Sequence, residues 1–84
     1  MKFVVKHEIK GRIRVHFCQK RMTFEEADTL QYYLNSQEMI TSSKVQERTQ
    51  DATICYTGDR ASVIALLRSF HYEKVDVPDV YRQN

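Results

Sequence analysis

Two glycines, one proline and two cysteines are all that this chain of 84 residues holds of the residues that most often punctuate or cross-link a backbone. Two cysteines, Cys18 and Cys55, are too few for a disulfide framework. With glycine so scarce there is no glycine-rich loop to cradle a phosphate, and no backbone oxyanion hole for acyl transfer can be read from the sequence. No stretch approaches the roughly 18 consecutive apolar residues of a membrane span, and the basic start lacks the apolar core of a secretory signal. A soluble, cytosolic chain is expected. Repeats, low-complexity tracts and internal linkers are also missing, so the length accommodates a single domain with one modest core. That domain is expected over residues 1–78, with 79–84 as a polar tail or the start of a linker to a larger protein.

What the chain does have is alternation. From Phe3 to Phe17 the odd positions read Phe3, Val5, His7, Ile9, Gly11, Ile13, Val15 and Phe17, and the even ones include Lys6, Lys10, Arg12, Arg14 and His16. A period of two over this span predicts one long strand with an apolar and a basic face, bent or bulged at Gly11. The net charge of +2 conceals how unevenly the charge is spread. Residues 1–21 hold Lys2, Lys6, Lys10, Arg12, Arg14, Lys20 and Arg21 against Glu8 alone, so the remainder of the chain is acidic. A surface of this sign attracts an anionic partner. The simpler account is the solvated outer side of an antiparallel sheet.

The later elements follow from local signals. Thr23 and Glu26 form the spacing of a capping box, and Phe24, Ala27, Leu30, Tyr33 and Leu34 recur at helical intervals up to about Ser36. Residues 39–48 read as a weaker strand with Val45 inward, 49–51 as a turn, and Ala52 to Thr57 as a strand with Ala52, Ile54 and Tyr56 on one face. Gly58 and Asp59 introduce a second helix, for which Ala61, Ile64, Ala65, Leu67 and Phe70 offer an apolar face. Glu73 to Val77 is expected as a last short strand stopped by Pro78. Strand, helix, strand, strand, helix, strand implies an α+β chain: a ferredoxin-like βαββαβ sandwich, with a four-stranded antiparallel sheet and both helices on one face. The even face of the first strand and the side of the third bearing Thr53, Cys55 and Thr57 would then share a helix-free surface.

The run Val5-Lys6-His7-Glu8-Ile9-Lys10-Gly11-Arg12-Ile13-Arg14-Val15, with Ala52-Thr53-Ile54-Cys55-Tyr56 and the helix start at Gly58-Asp59, resembles the divergent heavy-metal-associated domains at the cytosolic N-terminus of metal-transporting P-type ATPases. The resemblance extends from about Phe3 to Val77. It implies a parent protein that couples ATP hydrolysis to metal-cation transport, and a segment of it at the cytosolic side of the cell membrane that is not itself an enzyme. In their best-known form such domains carry Cys-x-x-Cys between the first strand and first helix, because paired thiolates suit Cu(I), or Zn(II) with further ligands. Here that loop reads Cys18-Gln19-Lys20-Arg21. A guanidinium at Arg21 cannot ligate a cation and repels one, so Cu(I) or Zn(II) binding is expected to be weak or absent, with no cofactor required. Cys18, His16 and Met22 are the conceivable ligand set.

The expected role is therefore regulation or docking through Lys10, Arg12, Arg14 and His16, toward an acidic cytosolic domain of the same ATPase or the anionic membrane surface nearby. One alternative is a free-standing metal-binding or metal-delivery protein using Cys18. Another is a nucleic-acid-binding module on the basic sheet face. The outward positions Thr53, Cys55 and Thr57 carry no ring for base stacking, so only weak phosphate contact with nucleic acid is expected. Acylphosphatases share the expected fold, but their glycine-flanked loop leading to an arginine has no counterpart after Phe17.

Overall fold

Fifteen residues of uninterrupted strand would extend for roughly 50 Å. In the computed structural model, which describes residues 1–78, the domain measures 33 × 27 × 19 Å. The chain resolves the conflict by turning back on itself. β1 (Phe3–Ile9) and β2 (Arg12–Phe17) form an antiparallel hairpin around Lys10 and Gly11, where a single long strand was expected. Gly11 has φ of 82°, a left-handed conformation that a residue without Cβ adopts at no steric cost. Its carbonyl accepts the Tyr56 N–H at 3.0 Å, which ties the turn to the neighbouring strand.

The remaining elements are α1 (Phe24–Asn35), β3 (Ile40–Gln46), β4 (Asp51–Tyr56), α2 (Arg60–Ser69) and a 3-10 turn at Tyr72–Lys74. The sheet order is β1-β2-β4-β3, antiparallel throughout. The protein is thus an α+β sandwich of ferredoxin-like layout, with one four-stranded sheet and two helices. The order of elements along the chain differs from the expected βαββαβ. The edge position beside β2 is taken by β1 from the N-terminal end, leaving no place there for the strand expected at Glu73–Val77. That segment instead holds the 3-10 turn, and Tyr72 and Val75 pack against the core. The expected tail at 79–84 lies outside the described residues.

One buried layer joins the sheet to the helices. Ile13, Val15 and Phe17 of β2, Ala52 and Ile54 of β4, and Ile40 and Val45 of β3 meet Ala27, Leu30 and Leu34 of α1 and Val63 and Leu67 of α2. The helix capping is as the sequence predicts: Glu26 N–H donates to Thr23 Oγ1 at 3.1 Å and Thr23 N–H to Glu26 Oε1 at 3.0 Å. Asp59 caps α2 by accepting the Ala61 N–H. The phase of α2 differs from expectation. Val63, Leu67 and Phe70 turn inward while Ala61 and Ala65 stay exposed, because the i, i+4, i+7 set offers the larger apolar surface. Phe24, at the first position of α1, is exposed and outside the stripe expected to include it.

The edges of the sheet are protected. On β3 the Val45 N–H, which would otherwise face an open edge, donates to Gln31 Oε1 of α1 at 2.9 Å, and Ser43 donates to Asn35 Oδ1. On β1 the register shifts between Val5 and His7, a bulge that breaks the flat edge. Gly11→Ala is expected to lower stability by about 1–2 kcal/mol through left-handed strain, read from urea unfolding. Unchanged stability would mean that the chain does not turn over at Gly11.

Candidate docking face

The pairing register assigns each strand residue to a side of the sheet. Paired residues share a face, so the side opposite the helices carries Arg12, Arg14 and His16 of β2, Asp51, Thr53 and Cys55 of β4, and Ser42, Lys44 and Gln46 of β3. β1 contributes Val4 before its bulge and His7 and Ile9 after it. The turn and the bulge together alter the expected parity. His7 and Ile9 were expected on the apolar side with Phe3 and Val5; the two-residue turn sets them on the open face, His7 opposite Arg14 and Ile9 opposite Arg12, and the extra residue at Lys6 returns Val5 and Phe3 to the helix side. Glu8 is paired with the inward Ile13 in consequence, on the helix side of the sheet.

The two sides treat charge differently. Glu8 forms a two-pronged ion pair with Arg60 at the start of α2, with Arg60 Nε 2.8 Å from Oε2 and Nη2 2.9 Å from Oε1. The hydrogen bond from Arg60 holds the Glu8 carboxyl below its usual range, and Glu8 in turn raises the guanidinium. On the open face, Arg12, Arg14 and Lys44 are exposed and have no carboxylate partner among the described residues. Asp51 is engaged by His16, whose Nδ1 lies 2.8 Å from Asp51 Oδ1. Lys10, expected on this face, sits in the hairpin turn at its margin. The face is therefore a band of unpaired cations with the exposed side chains Val4 and Ile9 at its β1 edge.

The residues considered as metal ligands lie in different surroundings. Cys18 is exposed just beyond β2, and its N–H donates to Lys2 O. His16 has Nδ1 committed to Asp51. Met22 is buried in the core, next to the N-cap, where an apolar side chain fixes the angle at which the chain enters α1. Among the described residues no group of three His, Cys, Asp or Glu side chains is placed to hold a metal ion.

The Cys18–Met22 loop is instead held by a polar network that the sequence reading missed. Gln19 Nε2 donates to Arg21 O at 2.6 Å and to the capping-box carboxylate of Glu26 at 3.1 Å, while Gln19 Oε1 accepts the Tyr72 hydroxyl at 2.8 Å. Gln50, in a left-handed conformation with φ of 62°, donates through Nε2 to Phe17 O and Gln19 O. These partners come from four separate parts of the chain, and no local spacing signals them. Burial, followed by the nearby Glu26 carboxylate, pushes the Tyr72 hydroxyl up to about 12, against the opposing effect of its bond to Gln19.

No family model, curated protein or solved structure matches the chain. Among the described residues no helix is long and apolar enough to cross a membrane.

Two measurements check this arrangement. Met22→Ala is expected to cost about 2–5 kcal/mol of stability, whereas Cys18→Ser stays within about 0.5 kcal/mol; equal effects would refute the contrast in burial. Tyr72 has a raised folded pKa, so its contribution to stability is present below pH about 10 and is lost as pH rises toward about 12. Ultraviolet titration should show a late ionisation from Tyr72, and Tyr72→Phe should remove that step together with this part of the alkaline loss.

Proposed function

We propose that this chain is a non-catalytic docking or regulatory domain of a heavy-metal cation-transporting P-type ATPase, acting at the cytosolic side of the membrane, with Cu(I) or Zn(II) binding weak or absent. The observation that carries the docking role is the open sheet face, where Arg12, Arg14 and Lys44 stand exposed with no carboxylate partner among the described residues. Two guanidiniums on alternate residues of a central strand attract an acidic surface, and salt weakens that attraction. An acidic cytosolic domain of the same ATPase is the partner that fits this charge.

The family component rests on the resemblance. It is supported by the Cys18-Gln19-Lys20-Arg21 loop lying between a central strand and α1, the position where that family carries its metal ligands. The chain departs from the family's order by supplying its fourth strand from the N-terminal side. Arg21 in the second ligand position and the burial of Met22 favour docking over metal transfer. The exposed thiol of Cys18 favours the second reading, a metal-delivery protein. That reading requires tight, chelator-resistant Cu(I) binding that Cys18→Ser abolishes.

The double variant Arg12→Glu/Arg14→Glu tests the docking role. It should fold with a stability change of about 0.5 kcal/mol or less, because both side chains are exposed. Its binding to polyglutamate, used as the acidic probe, should be lost, and wild-type binding should fade as added salt shortens the screening length below about 8 Å. Undiminished binding by the variant would refute the role of this face. Loss of folding would refute the exposure of the two arginines. Vesicles containing phosphatidylserine provide the comparison for a membrane partner, and competition by an oligonucleotide with a steep salt slope would identify nucleic acid instead.

A further inference from the structure

The cations of the open face surround a depression of about 370 Å³ lined by His7, Arg12, Arg14 and Thr53. Three of the four lie in one row across the sheet: His7 pairs with Arg14, and Arg14 with Thr53. Arg12 is two residues along β2 on the same side. Adjacent strands are about 4.8 Å apart and same-face neighbours along a strand about 7 Å apart, so long arginine side chains can reach a common ligand above the row. The two-residue turn places His7 in the depression, because pairing Ile9 with Arg12 sets His7 opposite Arg14. The shift at Lys6 returns Val5 and Phe3 to the helix side.

The donor set is specific in kind. Two guanidinium forks each present paired N–H groups, the Thr53 hydroxyl is a short donor in the floor, and the His7 ring adds a third type. The row continues on β3 with Lys44, opposite Thr53, so its next charge is also positive. Asp51, the carboxylate of β4 on this face, is held by His16. A planar carboxylate has two oxygens and is satisfied by one arginine fork. A tetrahedral dianion has oxygens for both forks and for the hydroxyl and imidazole as well. Among the described residues no Phe, Tyr or Trp of the four strands lies on this face; its rings are the imidazoles of His7 and His16, and His16 is tied to Asp51, so the face offers little platform to select a nucleobase.

We propose that the depression formed by His7, Arg12, Arg14 and Thr53 is a binding site for a phosphate-class dianion, either inorganic phosphate or a phosphate monoester. The proposal rests on the reading of the open face as an anion-docking surface and names the group that the surface accepts. Bound phosphate would occupy the same arginines that a partner needs, so it would compete with docking.

Backbone amide NMR on the intact chain tests this directly, with inorganic phosphate added at constant ionic strength and acetate as the control anion. Saturable shifts centred on His7, Arg12, Arg14 and Thr53 are expected with phosphate and not with acetate. Arg14→Gln should weaken the site at least about tenfold, Thr53→Val should weaken it less, and Lys74→Gln, at an exposed position outside the depression, should have no effect. The same spectra show whether each variant is folded. Non-saturating shifts shared by phosphate and acetate, or a folded Arg14→Gln variant with unchanged affinity, would overturn the proposal.

Glycerol 3-phosphate in solution and vesicles of phosphatidylcholine with phosphatidic acid separate a free monoester from a lipid headgroup. Saturable binding of either that depends on Arg14 supports the site, and binding of neither overturns it. Polyglutamate binding that is lost in Arg12→Glu/Arg14→Glu, without a saturable phosphate site, would overturn this inference and leave the docking function standing. A saturable phosphate site without polyglutamate binding would do the reverse.

Discussion

The pairing of β2 with β4 is the constraint on which the rest of the structure depends. Ile13, Val15 and Phe17 alternate with Arg12, Arg14 and His16, and the inward three are wholly excluded from solvent. Facing them in register, Ala52 and Ile54 extend the buried surface across the centre of the sheet. A slip of one residue would drive two guanidiniums into the core and expose the largest apolar side chains, a change no other contact could offset. The same alternation that closes the core therefore fixes which side chains form the outer face. In this domain stability and the proposed docking surface are set by one register.

How much of this was legible follows from the kind of signal each part carries. Alternation in Arg12–Phe17 and the Ala52, Ile54 pattern reveal both central strands, their inward faces and the cationic outer side. The capping box at Thr23 and Glu26 marks the start of α1 because it is written within four consecutive residues. Alternation cannot show a reversal of direction. Gly11 breaks no parity, so a hairpin and a bent strand read alike until the dimensions of the domain rule out the longer element. The bulge at Lys6 is equally silent, since an extra residue in a strand has no composition of its own, and it offsets the change of parity at the two-residue turn, so only His7, Glu8 and Ile9, between the two, lie on the sides opposite to those that alternation indicates.

The candidate site was legible to the same extent. Arg12, Arg14 and His16 were readable because they sit on a strand whose inner face is unmistakable. His7 was not, for the reason just given, and Thr53 joins it only through the β2–β4 register. Met22 shows how a ligand-type residue can be claimed by packing, because its place beside the N-cap makes it an anchor for the helix. Gln19, Gln50 and Tyr72 come from distant parts of the chain, and their network depends on loops meeting in three dimensions. No spacing rule announces such a meeting.

The strand order also shapes how the chain can assemble. β1 and β2 are joined by a two-residue turn and β3 and β4 by a short one, so each hairpin can close at small entropic cost. The seam between them pairs residues that are distant in the chain, and even its nearest pair, His16 and Asp51, is separated by 35 positions. The loss of chain freedom is thus concentrated at this one line, and α1, which bridges the two hairpins in sequence, is the element that brings its sides together. Contact order assigns the slow step of folding to the closure of that seam rather than to the formation of either hairpin.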